Sequence, residues 1–270
     1  MARQVLVSPS DIRDGWAEIR GSEARHLVRV LRVEAGERVS LFDGLGTTYR
    51  GVVDEVTRKG VRVRIEESLA QERSTRQGPL ITLVQAIPKQ RGMELIVSQC
   101  AQLGIERVVP VITERTEVKI DPEDPGPKPE RWKRLAQETA KQCGTAQVTR
   151  LEQVVDLAMF FHRLEPYDLS LIATLEEPVR PLKEVLAEFK NSHRGKGGQA
   201  PATPSAPRAY GPKGPARVAV LVGPEGDFTP AEVAQARSHD FQPVSLGPTV
   251  LRSPTAAVVV CALIRYELGD

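Results

Sequence analysis

The stretches Leu221-Val-Gly-Pro-Glu-Gly-Asp-Phe-Thr-Pro230 and Val244-Ser-Leu-Gly-Pro-Thr-Val-Leu-Arg-Ser-Pro-Thr-Ala-Ala257 decide how this chain is read. Each is a short apolar strand that runs into a glycine turn and then into a helix start. Two such turns build a backbone-lined pocket at the ends of neighbouring strands, where open α/β sheets bind their ligands. Gly223-Pro-Glu-Gly226 lacks the following Lys-Ser/Thr of a phosphate loop, and it is no Gly-x-Gly-x-x-Gly dinucleotide fingerprint. Its glycines permit a tight turn and a close backbone approach to a ligand. In the second stretch Leu246, Val250 and Leu251 offer apolar contact for a ligand ring. Thr255, Ala256 and Ala257 are small enough for a helix to lie close by, and Arg252 is the fixed positive charge of the loop.

Working outward, the grammar from Leu80 onward alternates strand and helix. Leu80–Ala86, Arg107–Ile112, Leu169–Ala173, Arg217–Val222 and Val244–Leu246 read as strands. The intervening helices are marked by Met93, Ile96, Val97, Cys100 and Leu103 on one face, with Gly104 at the C′ position, and by Glu130–Gln142 and Pro181–Lys190. Thr229-Pro-Ala-Glu232 has the form of a capping box opening a helix to about Ser238, and Ser253-Pro254 is expected to cap the last helix, to about Leu268. Strands alternating with helices imply a parallel sheet covered on both faces. Residues 1–72 are instead mostly β. Val39–Phe42, Tyr49–Val53 and Val61–Ile65 are punctuated by Asp43-Gly44 and Lys59-Gly60, and a helix is expected over Glu23–Val33. The expected organisation is therefore a small β-barrel at 1–72, a polar linker at 73–79 and an α/β domain at 80–270. Residues 191–216, rich in Gly, Pro, Ser and Lys, are expected to be a disordered loop.

Hydrophobic residues make up 40% of the 270, enough for real cores, and the net charge is only +2. Such a balance neither demands nor excludes nucleic acid, so the placement of charge matters more. Arg25, Arg29 and Arg32 fall on one face of the expected helix, and Arg62 and Arg64 alternate along a strand. No apolar run is long enough to span a membrane, and Met1–Val7 lacks the core of a signal peptide. Cys100, Cys143 and Cys261 form no Cys-x-x-Cys pair, and His26, His162, His193 and His239 have no ligand spacing. These features favour a reducing, cytoplasmic setting and no metal.

The two glycine-turn segments resemble the signature loops of the SPOUT methyltransferases, and specifically of the RsmE family, which methylates N3 of a uridine in 16S ribosomal RNA using S-adenosylmethionine. The likeness runs through His26-Leu-Val-Arg-Val-Leu-Arg32 with Leu41-Phe-Asp-Gly44, through Lys89 to Gly104, and through Val109–Arg115 and Glu130–Leu135. It implies a PUA-like RNA-binding barrel followed by a SPOUT domain with a deep trefoil knot, and a homodimer acting on the small ribosomal subunit. It places the cofactor at Leu175, Glu176, Gly223, Pro224, Glu225, Gly226, Ser245, Leu246, Gly247, Val250, Leu251, Thr255 and Ala256. It places RNA on Arg25, His26, Arg29, Arg32, Arg62, Arg64, Lys89 and Arg91. The chain departs from the family pattern at Asp227, Thr249, Pro254, Ser98, Gln99, Gln102 and Thr145, where the family usually has Gly, Arg, Glu, Gln, Lys, Glu and Arg.

Uridine N3 is a poor nucleophile until its proton leaves. Arg252 is the candidate for stabilising the resulting anion; no side chain stands out as general base, and Glu225 and Glu94 are candidates by residue type alone. Two rival readings remain. One keeps the fold and moves the methyl group to another ribosomal or transfer RNA nucleotide. The other is a non-catalytic RNA-binding assembly factor.

Overall fold

A computed structural model describes residues 4–58, 60–70, 78–194 and 215–269. Of the expected linker only Gly78 and Pro79 fall among the described residues. Residues 195–214 of the expected loop lie outside them. Contacts divide the chain into two compact units, residues 1–72 with 136–148, and residues 73–135 with 149–270.

The first unit holds β1 (Gln4–Leu6), β2 (Ile12–Arg13), β3 (Trp16–Ile19), α1 (Gly21–Arg25), β4 (Arg38–Phe42), β5 (Thr47–Val56) and β6 (Val61–Ala70). They form one sheet in the order β1-β4-β5-β6-β3-β2, in which only β1 and β4 run parallel. Register shifts at Arg50/Gly51 and Val53/Glu55 interrupt the β5–β6 pairing, and bulges of this kind bend a sheet toward closure. Alternate residues of the strands, among them Leu41, Val53, Val61 and Val63, join Leu27 and Ala24 in a core on one side. The expected helix over Glu23–Val33 is corrected. The α-helix stops at Arg25, and His26–Val30 continues as a wide π-helical turn. Arg32 then takes the left-handed conformation (φ 50°), so Arg25, Arg29 and Arg32 do not share a continuous α-helical face.

The second unit is built from β7 (Leu80–Ala86), α2 (Gly92–Gln102), β8 (Arg107–Ile112), α3 (Lys128–Cys143), β9 (Arg150–Leu151), β10 (Val155–Asp156), α4 (Leu157–His162), β11 (Leu169–Ala173), β12 (Arg180–Pro181), α5 (Leu182–Arg194), β13 (Arg217–Val222), α6 (Pro230–Ser238), β14 (Gln242–Ser245) and α7 (Ser253–Leu268). The second half of α3 counts with the first unit. The sheet runs β10-β8-β7-β13-β11-β14-β12, with β9 beside β8, and every pairing is parallel. Strands of near-continuous Val, Ile and Leu need cover on both faces. Val84, Val109, Ile172 and Leu221 meet Phe160 and Phe161 of α4 and Val233 of α6 on one side. On the other, α7 lies against β7 and β13 and is joined by α2 and α5. Cys100 and Cys261 are buried in the core, while Cys143 is exposed. Gly104 is left-handed (φ 67°) at the end of α2. The expected capping box is present in both directions between Thr229 and Glu232. One boundary is corrected: α5 runs on to Arg194, past the residue where the loop was expected to begin.

Candidate active site

Three neighbouring parallel strands end at the same edge. Ala173 of β11 stands opposite Val222 of β13 and Val244 of β14. The loops that leave these strands enclose a cavity of about 250 Å³. Thr174 and Leu175 line it from the first loop, and Gly223, Pro224, Glu225 and Asp227 from the second. Ser245, Leu246, Gly247, Thr249, Val250 and Leu251 form the third wall, and Arg252, Ser253 and Ala256 close it at the head of α7.

Local chemistry explains why these loops fold back so sharply. The Asp227 N–H donates to the Pro224 carbonyl (3.1 Å), closing a turn directly over Gly223. A Cβ at Gly223 would stand 3.1 Å from the Asp227 Cα, so any side chain there would push the turn open by a few tenths of an ångström. Gly247 answers a different demand, a φ of 130° that side chains rarely tolerate.

The second loop is braced from three directions. Both Glu225 carboxylate oxygens accept the Lys89 N–H, at 3.0 and 3.3 Å. The Arg115 guanidinium donates to the carbonyls of Gly226 (2.8 Å) and Phe228 (3.2 Å). Below it, the buried Ser253 hydroxyl donates to the Gly223 carbonyl (2.6 Å) and accepts from the Gln85 side-chain amide (3.0 Å). This corrects the expectation that Ser253 caps α7. Arg252 holds the N-cap position without a side-chain cap, and the serine ties the helix start to the end of β13.

Of the residues expected at the cofactor, Leu175, Gly223, Pro224, Glu225, Ser245, Leu246, Gly247, Val250, Leu251 and Ala256 line this cavity. Glu176, Gly226 and Thr255 are not among its lining residues. The Glu176 N–H is turned to the Thr174 hydroxyl (3.1 Å). Leu175 and Val250 are 62% and 69% exposed, an unusual state for apolar side chains at a concave site, and an apolar ligand surface would cover them. Arg252 is exposed and has no ion-pair partner among the described residues. Glu94 is paired with Arg131 (3.6 Å) and lies outside the lining. Sequence reasoning assigned no ligand role to Thr174, Asp227 or Ser253. Their signal was position, since each follows a strand end or a glycine turn at this edge.

The residues expected at RNA divide by partner. Arg25, His26, Arg29, Arg32 and Arg91 are exposed, and the four arginines have no ion pair among the described residues. Arg62 lies 4.1 Å over the Trp16 ring and 3.5 Å from Glu18, Arg64 pairs with Glu66 (3.4 Å), and Lys89 with Glu117 (2.7 Å). Among the described residues no His, Cys, Asp and Glu cluster could hold a metal ion.

Comparison with known proteins follows the same division. A family model of the RNA methyltransferase domain matches residues 76–265, and one of the RNA methyltransferase PUA domain matches residues 19–66. The chain is 28% identical to the ribosomal RNA small subunit methyltransferase E of Synechocystis, over 99% of this chain and 78% of that one. Its counterpart in Bacillus subtilis is 26% identical over 92% and 89%. A Legionella pneumophila structure in complex with the bound cofactor SAM superposes with a TM-score of 0.77 at 30% identity, covering 100% of this chain and 99% of that one. Two matched domains in the family's order, over most of the chain, place this protein in the RNA methyltransferase family, as a member of the ribosomal RNA small subunit methyltransferase E (RsmE) group.

Proposed function

We propose that the protein methylates N3 of one uridine in the 16S RNA of the small ribosomal subunit, with S-adenosylmethionine as donor. The observation that carries this reading is the cavity at the ends of β11, β13 and β14, lined by apolar side chains and edged by the Arg252 guanidinium, which has no ion-pair partner among the described residues. In a family named for RNA methylation, such a cavity suits an adenine-containing cofactor, with Leu175, Leu246, Val250 and Leu251 providing apolar contact.

S-adenosylmethionine supplies an electrophilic methyl group on a sulfonium. The chain's residues must present the uracil ring in line with it and stabilise the negative charge that spreads to O2 and O4 once N3 loses its proton. Arg252 is the group placed for that charge. Glu225 is held by the Lys89 N–H, so its carboxylate is oriented, and of the two candidate carboxylates it is the one that lines the cavity. Residues 1–72 form the RNA-binding barrel and residues 80–270 the catalytic domain, and the reaction takes place in the cytoplasm. Arg25, Arg29, Arg32 and Arg91 are the phosphate contacts best supported, because no carboxylate among the described residues competes for them. A homodimer is supported by the exposed apolar residues Leu95 on α2 and Leu263 and Tyr266 on α7, two helices in mutual contact. Insertion of α7 through a preceding loop, as a trefoil knot, completes the reading.

The test is transfer of labelled methyl from S-adenosylmethionine to small subunits from cells lacking this modification. One methyl per subunit, recovered in the RNA, is expected. No label in RNA from a protein that binds the cofactor would reject the catalytic reading in favour of a binding factor.

A further inference from the structure

Two carboxylates line the cavity, Glu225 and Asp227, and Asp227 gathers two donors on one oxygen from the loop after β11. One of its oxygens, Oδ2, accepts the Thr174 hydroxyl (2.9 Å) and the Leu175 N–H (2.8 Å). The Thr174 oxygen in turn accepts the Glu176 N–H (3.1 Å). A single side chain on the turn after β13 therefore fixes three consecutive residues of the loop after β11. Asp227 itself takes a left-handed conformation (φ 59°), which Asp and Asn tolerate better than most residues. Backbone strain is accepted where this carboxylate is needed. Thr174 is buried while Leu175, the next residue, is 62% exposed on the cavity wall. The pinned segment is thus the one that presents an apolar side chain to the ligand.

We infer that the Asp227 carboxylate is a latch that holds Thr174–Glu176 in the ligand-binding conformation, making Asp227 and Thr174 positioning residues for the cofactor. This rests on the reading of the cavity as the S-adenosylmethionine site. The latch requires an acceptor oxygen, not a charge. Asp227→Asn keeps an acceptor and the left-handed backbone. Asp227→Gly relieves the backbone and removes the acceptor. Thr174→Val, close in volume, removes the hydroxyl from the other side.

The experiment is calorimetric titration of S-adenosylmethionine into the full chain and the three variants. Melting temperatures and methyl transfer to small subunits at saturating cofactor are measured beside it. Asp227→Gly and Thr174→Val are expected to lose roughly 10-fold in affinity, as deletion of one partner of a part-buried hydrogen bond does, while Asp227→Asn stays within about 3-fold. The loss should fall mainly on cofactor affinity and KM, with a smaller effect on kcat at saturating cofactor, since a latch acts chiefly on binding. Wild-type affinity in Asp227→Gly would overturn the proposal. So would an Asp227→Asn protein as weak as Asp227→Gly, because the negative charge and not the latch would then be at work. A wild-type protein that does not bind S-adenosylmethionine would overturn the cofactor reading itself and the proposal with it.

Discussion

Arg252 and Ser253 are adjacent, yet the structure gives them opposite tasks. The guanidinium stays at the cavity with no ion-pair partner among the described residues, while the hydroxyl is buried against the Gly223 carbonyl. Arg252→Ala should lower kcat by about 10²- to 10³-fold, the range seen when one donor to a developing oxyanion is removed, and leave cofactor affinity unchanged. Steady-state kinetics with calorimetric Kd would show it, and wild-type turnover in the variant would remove Arg252 from the mechanism. The place of Arg252 at the cavity was legible because a fixed charge stands out in an apolar loop. The roles of Ser253 and Asp227 were not. A serine before proline at a helix start reads as a cap from local pattern alone. Its true acceptor, thirty residues earlier, appears only when β13 and α7 are brought together.

Elements with strong local signals were read closely from sequence. Apolar runs gave the strands of the parallel sheet, Gly104 and the Thr229–Glu232 box gave helix ends, and both boxed hydrogen bonds are present. The segment after α1 was not legible. Leu27, Val28 and Leu31 all satisfy a 3.6-residue period, but the chain widens into a π-helical turn and buries Leu27 in the barrel core. Very short strands such as Ile12–Arg13 and Arg180–Pro181 carry too few residues for any period to show.

The opposite end of the parallel sheet is stapled by charge. Arg107, at the start of β8, makes two hydrogen bonds to Glu165 (3.1 Å each), and Arg217 at the start of β13 adds a third (2.6 Å). The Arg107 hydrogen bond holds the Glu165 carboxyl below its ordinary pKa of 4.5. A carboxylate depressed in the folded state contributes stability above that value and loses it as the pH falls through the folded pKa. Glu165 is 48% exposed, so solvent screening limits the contribution. Glu165→Gln should therefore cost about 1 kcal/mol or less at pH 7, and the gap to wild type should close as the pH falls below 4.5. Denaturant unfolding at both pH values checks it, and a gap independent of pH would contradict the assignment.

At the scale of the molecule, the division into a β unit and an α/β unit follows from the change of pattern near Leu80. The membership of residues 136–148 in the first unit does not. Reading a chain in contiguous blocks cannot show a segment that leaves the second unit's sequence to join the first. In the same way, the sheet order β8-β7-β13-β11-β14 sets strands far apart in sequence side by side, and only that order places the three cavity loops on one edge. What pattern could show was that the last two glycine turns belong to strand ends. What it could not show was that the loop after β11 joins them at the cavity; Leu175 was placed there by the family resemblance alone, and Thr174 by neither. The central claim is N3 methylation of a uridine in the small subunit. The measurement that tests it most directly is nucleoside mass spectrometry of 16S RNA from small subunits of cells lacking this modification, incubated with the protein and S-adenosylmethionine. The account predicts N3-methyluridine, near one per subunit and at one position. A methyl group on any other nucleoside, or none at all, would contradict it.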